Sequence, residues 1–246
     1  MNMPAVDVSA VDLDAPMFDP VAYRLTDQQA AWCRTARALG KSKFAARAFE
    51  YDREAKFPTE NYKDLHEAGL LALCIPERFG GGGADYQSYS LVAAEIGRYC
   101  GATALTWNMH VCSTLWSGPL ADDLEMSAED RAAQESRRAL HYKRIVEDGA
   151  IYAQPFSEGG AAAAGGVAFS TEAVPTEGGW IVRGKKIFAS LSGNANYYGV
   201  LCTETEADGK KSRRNTLYLA VPADAKGVSV VGDWDPLGMR GTVSRT

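Results

Sequence analysis

The chain has 246 residues, a formal net charge of −5 at pH 7 and a hydrophobic fraction of 46%. This length predicts one or two domains with a sizeable hydrophobic core, and the composition excludes collagen-like, disordered and coiled-coil proteins. The acidic and well-mixed charge argues against nucleic acids and membrane surfaces as partners.

The first predicted helices lie before a glycine-rich segment. Hydrophobic residues recur there at the three- to four-residue spacing of an amphipathic helix. Thr26 or Asp27 can cap a helix that runs to about Tyr51. A second, shorter helix opens at Pro58 and ends at Gly69, a residue type favoured just after a helix.

Three more helices are predicted between the glycine-rich segment and Gly149. They cover roughly residues 86–98, residues 102–117 and a last stretch that starts after Ser127, whose side chain can accept from the amide of Asp130. The longest uncharged run, residues 99–121, is only about half apolar, whereas a membrane span needs about 20 predominantly apolar residues. We interpret this run as a buried helix.

After Gly149 the pattern changes to the two-residue alternation of short strands. Strands are predicted at residues 150–155, 168–174, 180–183, 187–190, 197–203, 216–221 and 228–231, with turns at 176–179 and 208–210. Helices followed by strands predict a multidomain α and β protein, with an all-α domain before an antiparallel β-barrel or β-sandwich. The predicted ranges are a flexible tail over 1–24, a helical domain over 25–149 and a β domain over 150–246 that is incomplete at its C-terminal end. No G-x-G-x-x-G motif follows a strand, so a Rossmann domain is excluded.

The number of cysteines and the charge of the N-terminal residues indicate the compartment, and the positions of the histidines bear on metal binding. The five cysteines are odd in number and contain no C-x-x-C pair, which favours a reducing compartment over a disulfide framework. None of the three histidines has a second metal ligand near it in sequence, so no metal site is expected. The first twenty residues carry four aspartates and no basic residue, the opposite of a targeting segment. We therefore expect a cytoplasmic protein.

Three segments could carry chemistry. The run 80–83 is either a phosphate cradle or a tight connection between helices, and the lack of a following Lys-Ser or Lys-Thr pair favours the connection. Phe156 and Ser157 follow a predicted strand, where exposed amides and a hydroxyl can bond a flat polar ring; the alternative is a plain turn. Phe188 and Ser190 would share one face of a strand and flank a stacked ligand, or belong to the core. Taken alone, local physics favours the plain turn and the core.

The order of several motifs resembles the acyl-CoA dehydrogenase family. In the helical half these are KFP at 56–58, LHEAGLL at 65–71, IPERFGG at 75–81 and AEIGR at 94–98. In the β half, SEG at 157–159 resembles the family's Thr-Glu-Pro segment, and GKKIFAS at 184–190 resembles its Gly-x-Lys-x-Trp-Ile-Thr segment. PLGMRGT at 236–242 resembles a late motif of its middle domain. The resemblance runs from about residue 25 to the last residue.

The resemblance implies a flavoprotein that holds FAD between a helical domain, a β middle domain and a C-terminal four-helix domain. It implies that Phe156 and Ser157 contact the flavin near its pyrimidine edge. It also implies that Phe188 stands in for the tryptophan beside the flavin, and Ser190 for the threonine that bonds it. Hydroxyls and amides at the ring nitrogens tune its electronics.

The sequence departs from the family pattern in three places. Phe188 replaces the usual tryptophan, and residues 162–165 replace the family's Gly-Ser-Asp, with Ala163 where relatives have the serine. The family's usual catalytic glutamate lies in the C-terminal domain, beyond Thr246, so the catalytic residue is unassigned. Glu158 does not match that base.

The resemblance predicts an FAD-dependent oxidoreductase that performs α,β-dehydrogenation of an acyl-CoA thioester, present here as a fragment of a homo- or hetero-oligomer. Two alternatives remain open: a flavin-dependent monooxygenase on the same fold, or a non-catalytic subunit that binds flavin or acyl-CoA. Because the segment that normally supplies the base is absent, the chain alone is expected not to turn over acyl-CoA. It is also expected to be poorly soluble and to bind flavin weakly.

Overall fold

A computed structural model of the chain describes residues 12, 14–159, 167–205, 211–232 and 234–246. Helices fill the first part of the chain and strands follow them. The helices are α1 (Asp27–Leu39), α2 (Ala45–Arg53), α3 (Thr59–Glu67), α4 (Tyr86–Gly97), α5 (Gly101–Ser117), α6 (Pro119–Asp122) and α7 (Ala128–Asp148). Among the described helices, none is long and apolar enough to cross a bilayer.

The first predicted helix exists but contains an irregular turn. The Thr26 side chain caps α1 by accepting a hydrogen bond from the amide of Gln29. The Gln29 side chain in turn accepts a hydrogen bond from the amide of Thr26. The π-helical turn Gly40–Phe44 then joins α1 to α2. A Cβ at Gly40 would lie 2.1 Å from the Tyr99 ring, so the turn brings the helix against the aromatic residue that follows α4.

The last predicted helix is confirmed with both of its ends. Ser127 accepts from the amide of Asp130 at 3.0 Å, and Gly149 closes α7 with a φ of 65°. β1 (Tyr152–Ala153) begins directly afterwards. The other strands are β2 (Glu172–Thr176), β3 (Gly179–Arg183), β4 (Tyr197–Glu204) and β5 (Thr216–Pro222).

The sheet is mixed, so the expectation of a purely antiparallel β domain is wrong. β5 pairs antiparallel with residues 197–203 of β4, and β2 pairs antiparallel with β3. However, β1 and β2 both run parallel to β4, β1 at its start and β2 at its end. Parallel pairing needs a long connection between the strands, and the segments 154–196 and 177–196 are long enough.

Two predicted strands do not form. Residues 187–190 make only isolated bridges, because Phe188 has a φ of 53° and breaks the extended backbone. Residues 228–231 are irregular, although the amide of Val231 donates to Thr246 O at 2.7 Å. The predicted strands at 150–155 and 168–174 shorten to β1 and to the start of β2. The predicted turn at 208–210 lies outside the described residues.

One hydrophobic core extends from the helices into the sheet. It includes Leu65 of α3, Trp107 of α5, Tyr142 of α7, Ala153 of β1 and Cys202 of β4. The two halves of the chain therefore pack as one body around shared apolar side chains.

His110 fastens the first strand to the helices. Its Nδ1 accepts from the amide of Tyr152 at 3.0 Å, and its Nε2 lies 3.1 Å from Leu71 O. An amide can only donate and a carbonyl can only accept, so His110 is neutral and carries its proton on Nε2. Burial lowers the pKa of His110 to about 4. The position of β1, and of the segment that leaves it, thus depends on a buried histidine of α5.

Candidate functional site

Phe156 lies where the chain leaves β1 and passes the end of α5. Its ring makes an edge contact with Trp116 at 5.0 Å between centroids, and Trp116 also contacts Tyr218 of β5 at 6.1 Å. Phe156 is half-buried and Trp116 is 36% exposed. The structure therefore forms an aromatic cluster in which Phe156 is backed by a helix and a strand. Sequence reasoning missed Trp116, whose position late in α5 resembles that of an ordinary helix-surface residue.

Ser157 joins the two candidate segments through the backbone. The amide of Ile187 donates to Ser157 O at 2.8 Å, so the 156–158 segment lies antiparallel to the 186–188 segment. Within the described part of the chain, no side chain or backbone group hydrogen-bonds the Ser157 hydroxyl. This half-buried hydroxyl is therefore available to a ligand.

A buried ion pair locks the same two segments together. Lys186 Nζ donates to Glu158 Oε1 at 2.6 Å and to Leu201 O at 2.6 Å. The side chains of Glu158 and Lys186 are 3% and 9% exposed. Glu158 also accepts from the Ser170 amide and hydroxyl, both at 2.7 Å, and from the Thr171 amide at 2.9 Å.

These hydrogen bonds keep the Glu158 carboxyl group ionised. Burial alone would raise the pKa of its carboxyl, but the hydrogen bonds from Lys186, Thr171 and Ser170 outweigh that effect and lower the pKa to about 2. For the Lys186 ammonium, burial has the opposite effect and lowers the pKa, and the interaction with Glu158 offsets part of this decrease. Both carboxylate oxygens of Glu158 are occupied, so its role in the structure is to hold the segments in place.

Phe188 and Ser190 lie in different environments, so the prediction that they share one strand face is wrong. Phe188 is 66% exposed, and its ring meets that of Trp234 edge-on, at 6.4 Å between ring centroids. Ser190 is buried, and its Oγ lies 2.7 Å from Ser244 Oγ. The left-handed backbone at Phe188 removes the alternation that a strand would impose. An exposed aromatic ring in a left-handed backbone is nevertheless suited to ligand contact.

The segment that carries Ser244 is anchored on the helical part of the chain. The turn Arg240–Thr242 lies against α2, where Arg240 Nε donates to Asp52 O at 2.8 Å and Arg240 Nη2 lies 2.5 Å from Asp52 Oδ2. A Cβ at Gly241 would lie 3.0 Å from Lys56 O, so glycine allows this close approach. Sequence reasoning noted the 236–242 motif but gave none of its residues a role.

Two cavities lie near the sheet. One of about 420 Å³ lies between α5, α7 and the β4–β5 pair, and its walls include Ser113, Arg137, His141, Tyr152 and Tyr218. The other, of about 880 Å³, borders β3, β5 and residues 225–231. Tyr218 connects the first cavity to the Trp116 and Phe156 rings.

The glycine-rich segment forms a tight connection. The amides of Gly82, Gly83 and Ala84 donate to the backbone oxygens of residues 72, 75 and 73. A Cβ at Gly81 would lie 2.2 Å from Ile75 O. Because these amides are already bonded, they offer no phosphate cradle.

The described residues contain no group of three histidine, cysteine or acidic side chains that could hold a metal ion. All five cysteines fall within the described ranges, and all are free. The chemistry available at the Phe156–Ser157 and Phe188–Ser190 segments is therefore that of rings and hydroxyls. Such groups suit a flat polar ring system.

Comparison with known proteins places both halves of the chain in one family. Residues 26–120 match the family model of the acyl-CoA dehydrogenase N-terminal domain, and residues 157–246 match that of the acyl-CoA dehydrogenase middle domain. The probable acyl-CoA dehydrogenase YngJ of Bacillus subtilis is 27% identical over 222 residues, 89% of this chain and 54% of the relative. The mitochondrial short-chain specific acyl-CoA dehydrogenase of Mus musculus is 30% identical over 209 residues, 84% of this chain and 47% of the relative.

A solved structure shares the fold. FMN-bound TdsC from a Paenibacillus species aligns with a TM-score of 0.71 and 25% identity, over 87% of this chain and 50% of its own. Another structure of that protein describes it as a dibenzothiophene monooxygenase. The chain spans about half the length of the curated relatives it matches.

Proposed function

Because the chain belongs to the acyl-CoA dehydrogenase family, we propose that it is the flavin-binding part of an FAD-dependent oxidoreductase that acts on acyl-CoA thioesters. The observation that carries the proposal is the junction of two segments, each with an aromatic ring and a hydroxyl, at the Ser157–Ile187 bridge. In this proposal Phe156, Ser157, Phe188 and Ser190 contact the flavin.

The side chains present fit a flavin ring. Ser157 has a hydroxyl without a partner in the described part of the chain, and Phe188 exposes two-thirds of its surface. A flat heterocycle can cover such a ring while its polar edge bonds hydroxyls and amides. A bound flavin would supply the hydride acceptor, a property of the cofactor and not of the chain.

The acid–base part of dehydrogenation needs a carboxylate within hydrogen-bond reach of the substrate's α proton. Glu158 cannot serve, because its two oxygens are occupied by Lys186, Ser170 and Thr171 and its pKa is about 2. We therefore expect acyl-CoA not to bleach flavin bound to these 246 residues under anaerobic conditions. Bleaching at the rate of an intact relative would place the base within the chain.

The second candidate function is flavin-dependent monooxygenation on the same scaffold. TdsC, at 25% identity, favours it, and so does the 420 Å³ cavity, which is lined by aromatic rings. One of these rings, Tyr218, contacts Trp116, which in turn contacts Phe156. Reduced flavin, oxygen and an aromatic substrate would then give a product that has gained one oxygen atom, as mass spectrometry can detect. A non-catalytic subunit would bind flavin or acyl-CoA and do neither reaction.

Titration of the chain with FAD and FMN, followed by flavin fluorescence, tests the site. We expect saturable binding, tighter for FAD, and a loss of about tenfold or more in affinity when Ser157 and Ser190 are both changed to alanine, since each hydroxyl contributes one hydrogen bond. Ser90→Ala is the control, because the Ser90 hydroxyl lies on α4 and bonds Tyr86 O. Equal affinity in the double variant and the control would contradict these contacts.

The proposal includes a location and a quaternary state. A cytoplasmic protein is consistent with the five free cysteines. We further propose that the whole protein assembles as a homo- or hetero-oligomer, which size-exclusion chromatography with light scattering would measure.

A further inference from the structure

Three buried hydroxyls form a chain beside the Phe188 turn. Ser190 Oγ lies 2.7 Å from Ser244 Oγ, which lies 2.7 Å from Thr242 Oγ1. We propose that Thr242 and Ser244 are positioning residues that direct the Ser190 hydroxyl proton toward the flavin, an inference that rests on the function proposed above.

The donor and acceptor in each of these two hydrogen bonds follow from counting the protons of the three hydroxyls. Each hydroxyl has one proton to donate and lone pairs to accept two bonds. Among the described residues, Ser244 is the only hydrogen-bond partner of the Thr242 hydroxyl, which is fully buried. An unused donor there would be costly, so Thr242 donates to Ser244. Ser244, only 5% exposed, has Ser190 as its remaining acceptor and therefore donates to it.

Ser190 then accepts from Ser244 and retains its own proton. No described residue accepts that proton, although Ser190 is only 9% exposed. A ligand atom with a lone pair, such as a flavin ring nitrogen or carbonyl oxygen, would complete the chain. The bond from Ser244 also restricts rotation of the Ser190 hydroxyl, and a donor fixed by a supporting hydrogen bond is preorganised for its ligand.

The backbone holds the hydroxyls in register on both sides of Ser190. The amide of Ala189 donates to Arg245 O at 2.8 Å, and the amide of Leu191 donates to Thr242 O at 3.1 Å. These bonds tie the residues before and after Ser190 to the segment that carries the other two hydroxyls. The contact of Arg240 with Asp52 fixes the same segment on α2.

A double-mutant cycle on the 246-residue chain tests the inference. We expect Ser244→Ala to weaken FAD binding about five- to tenfold, the effect of one hydrogen bond, and to shift the absorbance spectrum of the bound flavin. In a Ser190→Ala background the same change should alter the affinity less than about twofold, because Ser244 acts through Ser190. Ser244→Thr keeps the hydroxyl and should keep the affinity and the spectrum, and Thr242→Val should have an effect in the same direction as Ser244→Ala.

Ser192→Ala is the matched control. Ser192 lies two residues after Ser190, is 3% exposed and donates to Ala189 O, but it is not bonded to the chain of hydroxyls. We expect it to leave the flavin spectrum unchanged.

The outcomes separate this inference from the proposed function. An effect of Ser244→Ala that is equal with and without Ser190, or that Ser244→Thr does not restore, would overturn the positioning role. If Ser190→Ala weakens flavin binding and Ser244→Ala does not, the positioning role is wrong and the proposed function stands. If the chain binds neither FAD nor FMN, both are overturned.

Discussion

At the scale of single residues, the ion pair between Glu158 and Lys186 joins the two segments of the candidate site. Its two members belong to the two segments that carry Ser157 and Phe188, and both are nearly inaccessible to solvent. A buried charge that loses its partner is destabilising, since no water replaces the lost contact. The pair therefore holds the Ser157–Ile187 bridge together in addition to neutralising charge.

Lys186→Met leaves the Glu158 carboxylate buried beside neutral donors. We expect a loss of about 3–5 kcal/mol in the free energy of unfolding, measured by urea denaturation. Lys143→Met is the matched control: Lys143 pairs with Glu147 at 3.8 Å, but the two side chains are 67% and 60% exposed. Removing that surface pair should cost at most about 0.5 kcal/mol. Similar losses in both variants would contradict the role assigned to Lys186.

Adding Glu158→Gln to Lys186→Met removes the unpaired charge. We expect the double variant to recover part of the lost stability, because an amide costs less to bury than an unpaired carboxylate. A double variant less stable than Lys186→Met alone would show that the hydrogen bonds from Ser170 and Thr171 to the carboxylate matter more than the charge.

At the scale of elements, the joint between α1 and α2 depends on a close approach. Gly40 opens the π-helical turn, and the Tyr99 ring occupies the space of a side chain there. Helical glycines are normally a cost, since alanine is favoured in a helix by roughly 0.5–1 kcal/mol. Gly40 must be glycine because of packing, whereas a Cβ at Gly97 of α4 would lie 3.7 Å from Ala104 Cβ, an ordinary van der Waals distance.

Gly40→Ala and Gly97→Ala should therefore have opposite effects. We expect Gly40→Ala to lower the melting temperature, because its methyl group would overlap the Tyr99 ring and force overpacking that typically costs about 1–3 kcal/mol. Gly97→Ala should leave the melting temperature unchanged or raise it slightly. Differential scanning calorimetry of the two variants measures both, and a stabilised Gly40→Ala would contradict the packing argument.

Elements with local determinants could be predicted from the sequence, and those set by distant contacts could not. Ser127 and Gly149 mark α7 by their own chemistry, so its limits follow from the residues present. The 187–190 segment has the composition of a strand, yet its conformation depends on Arg245 and Ser157, which are distant in sequence. The parallel pairing of β1 with β4 has the same origin, because register between strands 45 residues apart leaves no local mark.

The residues of the candidate site also divide into those that the sequence indicates and those that depend on contacts between distant residues. Phe156, Ser157, Phe188 and Ser190 were found through motifs that resemble a family, and their flavin contact stays a prediction. Trp116, Thr242 and Ser244 were missed because their roles depend on contacts that only the folded chain creates. Buried hydroxyls in particular have no sequence signal that separates a chain of three from isolated serines.

At the scale of the whole molecule, His110 connects the helices to the sheet. Its ring lies between Leu71 O and the amide of Tyr152, and it is completely buried. Protonation would place a second N–H against the Tyr152 amide, which is itself a donor. Folding therefore favours the neutral ring and lowers the pKa of His110 from 6.5 to about 4.

The sign of the pH dependence follows from this shift. Below about pH 6.5 the unfolded chain binds a proton at His110 that the folded chain does not, so stability decreases as the pH falls from about 6.5 to about 4, by an amount on the order of 3 kcal/mol. Above pH 6.5 the ring is neutral in both states, so His110 makes no contribution to the pH dependence of stability.

We expect His110→Gln to be less stable than the parent at pH 7.5 and to show a smaller decrease in stability between pH 6.5 and 4. Urea denaturation of both proteins across this range measures the difference. His141 also has a pKa lowered by burial, so His141→Gln serves as the comparison that separates the two rings. If the parent and His110→Gln lose stability in parallel on acidification, the joint between the helices and β1 does not depend on a neutral His110.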